Sequence, residues 1–154
     1  MTVRFLVVVG SLLAAAMQVA AGDALTAIDR GEQALRAGQL EAAEAAFQEA
    51  LTLEPESVNA RLRLAGVQVA KMEDAAAIEN FQKVIGVQPQ NARAFIGMGL
   101  AFLHQGRYGL ARAALQEAVA ADASRQGEIA PLLAWIDARA DVYSDVAAST
   151  AAGR

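Results

Sequence analysis

Cysteine is absent from the sequence, and large aromatic side chains are scarce. The absence of cysteine excludes disulfide bonds, thiolate catalysis, zinc–thiolate sites and a lipid anchor on a processed cysteine. Aromatic residues make up only 5% of the chain although hydrophobic residues make up 55%, because much of the apolar fraction is alanine. Small side chains of this kind are typical of helices that pack closely against one another.

The sequence also lacks any run of lysine or arginine, and its net charge is -4. A protein that follows a phosphate backbone needs clustered positive charge, so this composition argues against a nucleic-acid partner. A length of 154 residues is enough for one domain with a buried core and is short for two.

The first 21 residues have the order of an export signal. Arg4 precedes an apolar run over residues 5–17, and small residues at positions 19 and 21 give the pattern that a signal peptidase accepts before Gly22. We therefore predict a signal peptide over residues 1–21 and a mature chain that begins at Gly22. The alternative is an uncleaved membrane anchor, because the apolar stretch reaches the lower limit of about 17 residues for crossing a bilayer. In both cases the remaining chain is periplasmic or otherwise exported, and in the second it is anchored to the inner membrane.

A repeat of 34 residues organises most of the remaining chain. Three windows, 24–57, 58–91 and 92–125, align without gaps. Alanine occupies one column in all three windows, and a bulky apolar residue occupies the column four residues later. These columns are Ala43, Ala77, Ala111 and Phe47, Phe81, Leu115. Agreement at one fixed offset indicates three copies of one structural unit.

Within each window, apolar residues recur at spacings of three and four, which predicts two helices separated by a breaker. Gly38 and Gly106 are the breakers of the first and third windows, whereas the second window has Met72 at this position. Ser57 and Asn91 are predicted to cap the helices that follow the first two windows. The predicted helix pairs are 23–37 with 40–53, 57–71 with 74–86, and 91–105 with 108–121.

This pattern resembles the tetratricopeptide repeat (TPR). That family has a small residue on the first helix, glycine at the turn, and then alanine, an aromatic residue, alanine and proline along the second helix. The first window carries these features as Gly31, Gly38, Ala43, Phe47, Ala50 and Pro55. The resemblance implies an all-α fold, an α-solenoid of three TPR helix-turn-helix repeats followed by a C-terminal capping helix.

Apolar residues at helical spacing after the third window predict this capping helix over about residues 127–143. Together with the three repeats it gives a single TPR domain over residues 22–143. The remaining segment, residues 144–154, is rich in alanine, serine and threonine, and we predict that it is a disordered tail.

The same resemblance implies a binding surface, because the first helices of successive TPR pairs line a concave groove. Two groove-facing columns are aliphatic in all three copies, so we predict an apolar floor that accepts an apolar or amphipathic segment of a partner protein. The predicted groove residues are Leu25, Ile28, Glu32, Leu35, Asn59, Leu62, Arg63, Val69, Arg93, Ile96, Leu100, Leu103 and His104. The alternatives are that these residues form the core, or that the protein's own terminal helix or a second copy covers them.

Asn59, Arg63 and Arg93 allow a further interpretation. Some members of the family hold the C-terminal carboxylate of a partner with Lys, Arg and Asn side chains on neighbouring first helices, and these three residues would be an incomplete version of that clamp. Exposed arginine and asparagine on a helix are more often merely solvated.

No residue pattern predicts catalysis, a metal site or a cofactor. His104 is the only histidine and lacks the companion ligands that a metal ion needs. Three acidic residues, Glu41, Glu44 and Glu49, lie on one side of a helix and are predicted to form a solvated face. The sequence contains no recognisable nucleophile with an adjacent base and no glycine-rich phosphate loop, so we expect a protein that is not an enzyme.

These features predict a non-catalytic adaptor in the cell envelope that assists assembly of an envelope complex. The expected partner is a protein of the envelope or of a membrane complex, and membrane contact is expected only through residues 1–21 if they are not cleaved. The alternative is a permanent structural subunit, or a self-associating scaffold, of a membrane-associated complex. Fold-level analogy does not name the partner.

Overall fold

The computed structural model describes residues 22–152, with the side chains of residues 22–139. The predicted signal peptide or anchor lies outside these residues. The helices are α1 (22–36), α2 (Leu40–Leu53), α3 (Val58–Ala70), α4 (Asp74–Val87), α5 (Ala92–His104), α6 (Tyr108–Ala121), a short 3-10 helix (Ala123–Arg125) and α7 (Gln126–Ala152). Within this range the chain forms no strand, and none of the helices found there combines the length and apolar character needed to cross a membrane.

The helices fall into two compact units. The first unit comprises α1 to α3, in residues 22–71, and the second comprises α4 to α7, in residues 72–152. The boundary between them falls at the turn after α3, inside the second predicted repeat. The prediction of a single domain over residues 22–143 stays a prediction.

The helix bounds follow the periodicity of the sequence closely. Helices α2 to α6 begin and end within one residue of the predicted positions. Helix α7 differs, because it continues to Ala152. The helix therefore includes residues 144–152 of the predicted tail. The disorder of the tail stays a prediction, and residues 153 and 154 lie outside the described chain. Alanine is the strongest helix former, and no glycine or proline interrupts the sequence between residues 132 and 152.

The turns within the windows depend on residues in the left-handed backbone region. Gly38 and Gly106 have φ of 72° and 68°. Each ends its helix in a Schellman motif: the amide of Gln39 donates to the carbonyl of Ala34, and the amide of Arg107 donates to the carbonyl of Phe102, both at 2.9 Å. The turn after α3 also contains a residue with a positive φ, but this residue is Met72, at 63°, and not a glycine.

The core of the first unit is built around Phe47 of α2, which is fully buried. Gly31 on α1 makes room for its ring, because a Cβ atom at that position would lie 2.5 Å from Cε1 of Phe47. Ile28 from α1 and Leu64 and Val67 from α3 belong to the same apolar cluster. The small residue that the TPR pattern places on the first helix is therefore required for close packing of α1 on α2.

Two glycines of α5 have the same function in the second unit. A Cβ atom at Gly97 would lie 2.1 Å from Cζ of Phe81, and one at Gly99 would lie 2.9 Å from Cγ of Leu115. Ile129 and Ile136 of α7 are buried in the cluster that contains Leu115. Helix α7 thus covers apolar surface that α6 would otherwise expose to water.

The two predicted N-caps behave differently. The side chain of Asn91 accepts a hydrogen bond from the backbone amide of Ala94 at 3.1 Å, whereas the side chain of Ser57 makes no capping hydrogen bond. Asp122 caps the 3-10 helix, where it accepts hydrogen bonds from the hydroxyl and the amide of Ser124. These two hydrogen bonds lower the pKa of Asp122.

A candidate protein-interaction surface

The structure distributes the thirteen predicted groove residues over three levels of exposure. Five of them are exposed, namely Leu25, Asn59, Arg93, Leu100 and His104. Seven are half-buried, namely Glu32, Leu35, Leu62, Arg63, Val69, Ile96 and Leu103. One, Ile28, is buried. The residues of α1 and α3 belong to the first unit and those of α5 to the second, so each group is described by itself.

Ile28 is a core residue and not part of an open surface. It is only 6% exposed and belongs to the cluster of Phe47 and Leu64. On α1 it lies one residue after the fully buried Ala27 and three residues before Gly31, on the face that packs against α2 and α3. The residues of the repeat column that contains Ile28 therefore differ in burial, because Leu62 and Ile96 in the same column are half-buried.

The surface of the first unit combines open aliphatic side chains with an ordered ion pair. Leu25 is 61% exposed, and Leu62 is half-buried. Beside them, Nη2 of Arg63 lies 2.7 Å from Oε1 of Glu32, which links α3 to α1. Nε of Arg63 is buried without a hydrogen-bond partner among the described residues. Asn59 lies one helical turn before Arg63 and is exposed.

This ion pair bears on the carboxylate-clamp interpretation. Arg63 already has a carboxylate partner, Glu32, within its own unit. An incoming carboxylate would have to share or displace that partner, which weakens the attraction that the clamp needs. The structure therefore favours Arg63 and Glu32 as a positioned pair at the edge of the apolar surface.

The surface of the second unit is presented by α5. Leu100 is 38% exposed, whereas Ile96 and Leu103 are half-buried and pack against the core of this unit. Arg93 is exposed near the start of the helix. At the other end of α5, Nδ1 of His104 lies 2.9 Å from Oδ1 of Asp74, the first residue of α4.

Asp74, whose side chain is only 12% exposed, is a residue that the sequence did not single out. It is separated from His104 by 30 residues, and only the packing of α4 on α5 brings the two together. Asp74 begins α4, the second helix of its repeat, and His104 ends α5, the first helix of the next repeat. The structure brings these two helix ends together. A comparison of these two positions in the aligned windows could have predicted the pair.

Two of the three acidic residues that the sequence placed on one side of α2 form ion pairs. Oε2 of Glu44 lies 2.6 Å from Nζ of Lys71, and both side chains are less than one-fifth exposed. Glu49 pairs with Arg30 at 2.7 Å. The prediction of a solvated face is therefore wrong for Glu44, because Lys71 at the end of α3 covers it, whereas Glu49 remains half exposed in its pair with Arg30.

In the part of the chain that the structure describes, no group of three His, Asp or Glu side chains is placed to hold a metal ion.

Two family models match the chain, and each is described as a tetratricopeptide repeat. One matches residues 34–73 and the other residues 73–125, so that together they cover more than half of the sequence. The chain belongs to the tetratricopeptide-repeat family. The members of this family are protein–protein interaction modules, and the fold is typically a non-enzymatic scaffold.

Solved structures confirm the predicted all-α TPR solenoid class. The TPR2B domain of yeast Sti1, in a complex with pHsp70, is 24% identical with a TM-score of 0.72, and the match covers 76% of this chain and 98% of that one. MamA from Desulfovibrio magneticus RS-1 is 23% identical with a TM-score of 0.72, covering 81% and 70% of the two chains. The first TPR of Spaghetti (RPAP3), bound to the HSP90 peptide SRMEEVD, is 13% identical with a TM-score of 0.73, covering 79% and 95%. At these identities the similarity concerns the fold. No curated protein matches this sequence.

Proposed function

We propose that this protein is a non-catalytic adaptor of the cell envelope that binds an apolar or amphipathic segment of a partner protein on its first helices and assists assembly of an envelope complex. The observation that carries the proposal is the exposure of Leu25 and Leu100 on first helices that otherwise bury their large aliphatic residues at least in part. Apolar side chains left open to water on a folded surface are typical of binding sites.

Ordered polar groups beside these leucines support the same function. Glu32 and Arg63 are held against each other on the first unit, and His104 is held against Asp74 on the second. Because their positions are fixed before binding, these side chains can orient a partner at a small cost in conformational entropy. The apolar residues would supply most of the affinity, and the polar residues would select direction and sequence.

The solved relatives indicate what kind of partner to expect. The Spaghetti domain is bound to a peptide, and the Sti1 domain is in a complex with pHsp70. A peptide-like segment is therefore a partner that this fold accommodates. For this chain we propose a segment of different chemistry, namely an apolar or amphipathic one. The reason is that the exposed side chains of its first helices include leucines, which lie beside ion pairs that are already formed.

The test compares two variants that place a charge on the proposed surface, Leu62→Asp and Leu100→Asp. The tagged parent and the variants are used to capture proteins from the envelope fraction, and the retained proteins are quantified by mass spectrometry. We expect at least tenfold less retention of specific partners with each variant, which corresponds to about 1.4 kcal/mol of lost binding free energy.

Leu110→Asp is the matched control, because Leu110 is 42% exposed on α6, outside the first helices. It should retain the same proteins as the parent, and all three variants should keep the helical circular-dichroism signal. If Leu110→Asp loses the partners as completely as Leu100→Asp does, or if neither first-helix variant loses them, the proposed surface is not the binding site.

A further inference from the structure

A second exposed cluster lies in the second unit, on helices that contribute none of the predicted groove residues. Trp135 of α7 is 44% exposed. Tyr108 at the start of α6 meets it edge-on, with ring centroids 6.1 Å apart and an angle of 69° between the ring planes. The guanidinium of Arg139, one turn further along α7, lies 4.3 Å from the centroid of the Trp135 ring. We call Tyr108, Trp135 and Arg139 the aromatic patch.

Part of this arrangement has a structural explanation. Tyr108 begins α6 and lies one repeat period after Asp74, which begins α4. Asp74 contacts His104 of α5, the helix that follows α4. The contact of Tyr108 with Trp135 likewise attaches α7 to α6. Attachment accounts for the pair of rings. It does not explain why nearly half of an indole is left open to water, nor why a guanidinium is stacked on it.

The charges near the aromatic patch are unbalanced. Asp137 is paired with Arg112, at 3.1 Å between Oδ1 and Nε. No carboxylate whose side chain is described pairs with Arg139, which is stacked on Trp135. Arg107, the residue before Tyr108, lies over the ring of Phe102 and donates to the side chain of Gln105. Two arginines without a described carboxylate partner therefore flank the aromatic pair, on a chain whose net charge is -4.

We propose that the aromatic patch, with Arg107, is a docking surface for an acidic segment of another protein, one that carries an apolar side chain next to a carboxylate. The carboxylate would accept paired hydrogen bonds from the guanidinium of Arg139, whose N–H groups remain available while its face is stacked. The apolar side chain would cover the exposed part of the indole. Trp, Tyr and Arg are the residues that most often dominate binding energy at protein interfaces.

Stacking also prepares the arginine for binding. A solvated arginine side chain loses rotamer freedom when it is immobilised at an interface. On this surface the contact with Trp135 already restricts Arg139. The aromatic patch therefore offers a positive charge in a fixed position, which selects a carboxylate partner over a neutral one.

Trp135 is the only tryptophan of the chain, so its fluorescence reports on the aromatic patch alone. The probe is a short synthetic peptide of alternating Leu and Glu, and the matched probe has Gln in place of every Glu. We expect a saturable change in tryptophan emission with the Leu–Glu peptide, at least tenfold weaker affinity for the Leu–Gln peptide, and weaker binding at high salt.

Two variants assign the effect to the patch. Arg139→Gln should weaken binding of the Leu–Glu peptide at least tenfold, whereas Arg36→Gln, at an exposed position of α1, should bind it as the parent does. Affinities are also measured by titration calorimetry, because replacing Arg139 changes the emission of Trp135 directly. Circular dichroism checks that each variant is folded.

Equal affinity for the two peptides, or unchanged affinity in Arg139→Gln, would overturn the proposal. So would the absence of a saturable change in emission. If the emission instead changes with protein concentration alone, and light scattering shows a dimer that Arg139→Gln disrupts, the patch binds a second copy of this chain and the proposed partner is wrong.

Discussion

At the scale of single residues, two glycines in the first helices have opposite effects on stability. Gly97 lies in α5 against the ring of Phe81, where a Cβ atom would lie 2.1 Å from Cζ. Gly66 lies in α3, and apart from its chain neighbours and the backbone of its own helix no atom lies within 4 Å of the position that a Cβ would take. The first glycine is required by packing, whereas the second only weakens its helix.

We expect Gly97→Ala to lower the free energy of unfolding by about 1–3 kcal/mol, because the added methyl group must displace a buried aromatic ring. Gly66→Ala should raise it by up to about 1 kcal/mol, since alanine is the better helix former and meets no neighbour. Urea denaturation of both variants measures the difference. A Gly97→Ala protein as stable as the parent would show that α5 and Phe81 are not packed as described.

Met72 is the one residue other than glycine that has a positive φ in the part of the chain that the structure describes. It adopts a φ of 63° at the turn after α3, where Gly38 and Gly106 occupy the equivalent turns. A side chain in this region costs roughly 1–2 kcal/mol, while glycine loses more conformational freedom on folding. At this position the backbone strain of methionine costs more free energy than the additional conformational entropy that glycine would lose on folding.

Met72→Gly should therefore raise the free energy of unfolding by about 1 kcal/mol, measured by urea or thermal denaturation. Glu54→Gly is the control, because Glu54 directly follows α2 and has a φ of -130°, where glycine relieves no strain. That variant should be slightly destabilised. If both substitutions destabilise the protein equally, the turn at Met72 is not strained.

At the scale of helices, the two predicted N-caps give a direct comparison. Asn91 accepts a hydrogen bond from the amide of Ala94, and Ser57 at the corresponding position before α3 accepts none. Replacing Asn91 with alanine should cost about 1 kcal/mol of stability, because a helix amide loses its partner.

Ser57→Ala should change stability by less than half of that amount, since no capping hydrogen bond is lost. Thermal denaturation of the two variants is sufficient to test this. An equal loss in both would mean that the Ser57 hydroxyl caps α3 in solution.

Helix ends were predictable where the sequence contains a physical reason for the helix to stop. A glycine fixes the end of α5, because glycine tolerates the left-handed backbone region. Prolines fix the ends of α2 and α4, because proline cannot continue a helix. Helix α7 has no such residue between 132 and 152, so the sequence offered no physical reason for the helix to stop before the end of this range.

At the scale of the whole molecule, the proposed envelope function requires export. We expect the purified protein to begin at Gly22, because residues 1–21 have the charge, apolar run and small residues of a cleaved signal peptide. Intact-mass measurement and N-terminal sequencing test this. A purified protein that begins at Met1 and fractionates with membranes would support the uncleaved anchor.

The burial of the predicted groove residues could be read only in part from the sequence. Leu62, Leu100 and Arg63 are at least partly open to solvent, whereas Ile28 of the same predicted set is buried, and the repeat columns could not show this difference. Their part in binding stays a prediction. Burial depends on how far each helix is rotated against its neighbours. A column of aligned residues contains no measure of that rotation.

The sequence by itself determined the repeat, the helix class and most helix ends. These follow from local causes, namely apolar spacing of three and four, glycine at turns and proline beyond helix ends. Tertiary structure alone decided which side chains meet, because residues 27 or 30 apart come together only when helices pack. It paired Glu44 with Lys71 and His104 with Asp74, and it left Trp135 exposed beneath Arg139.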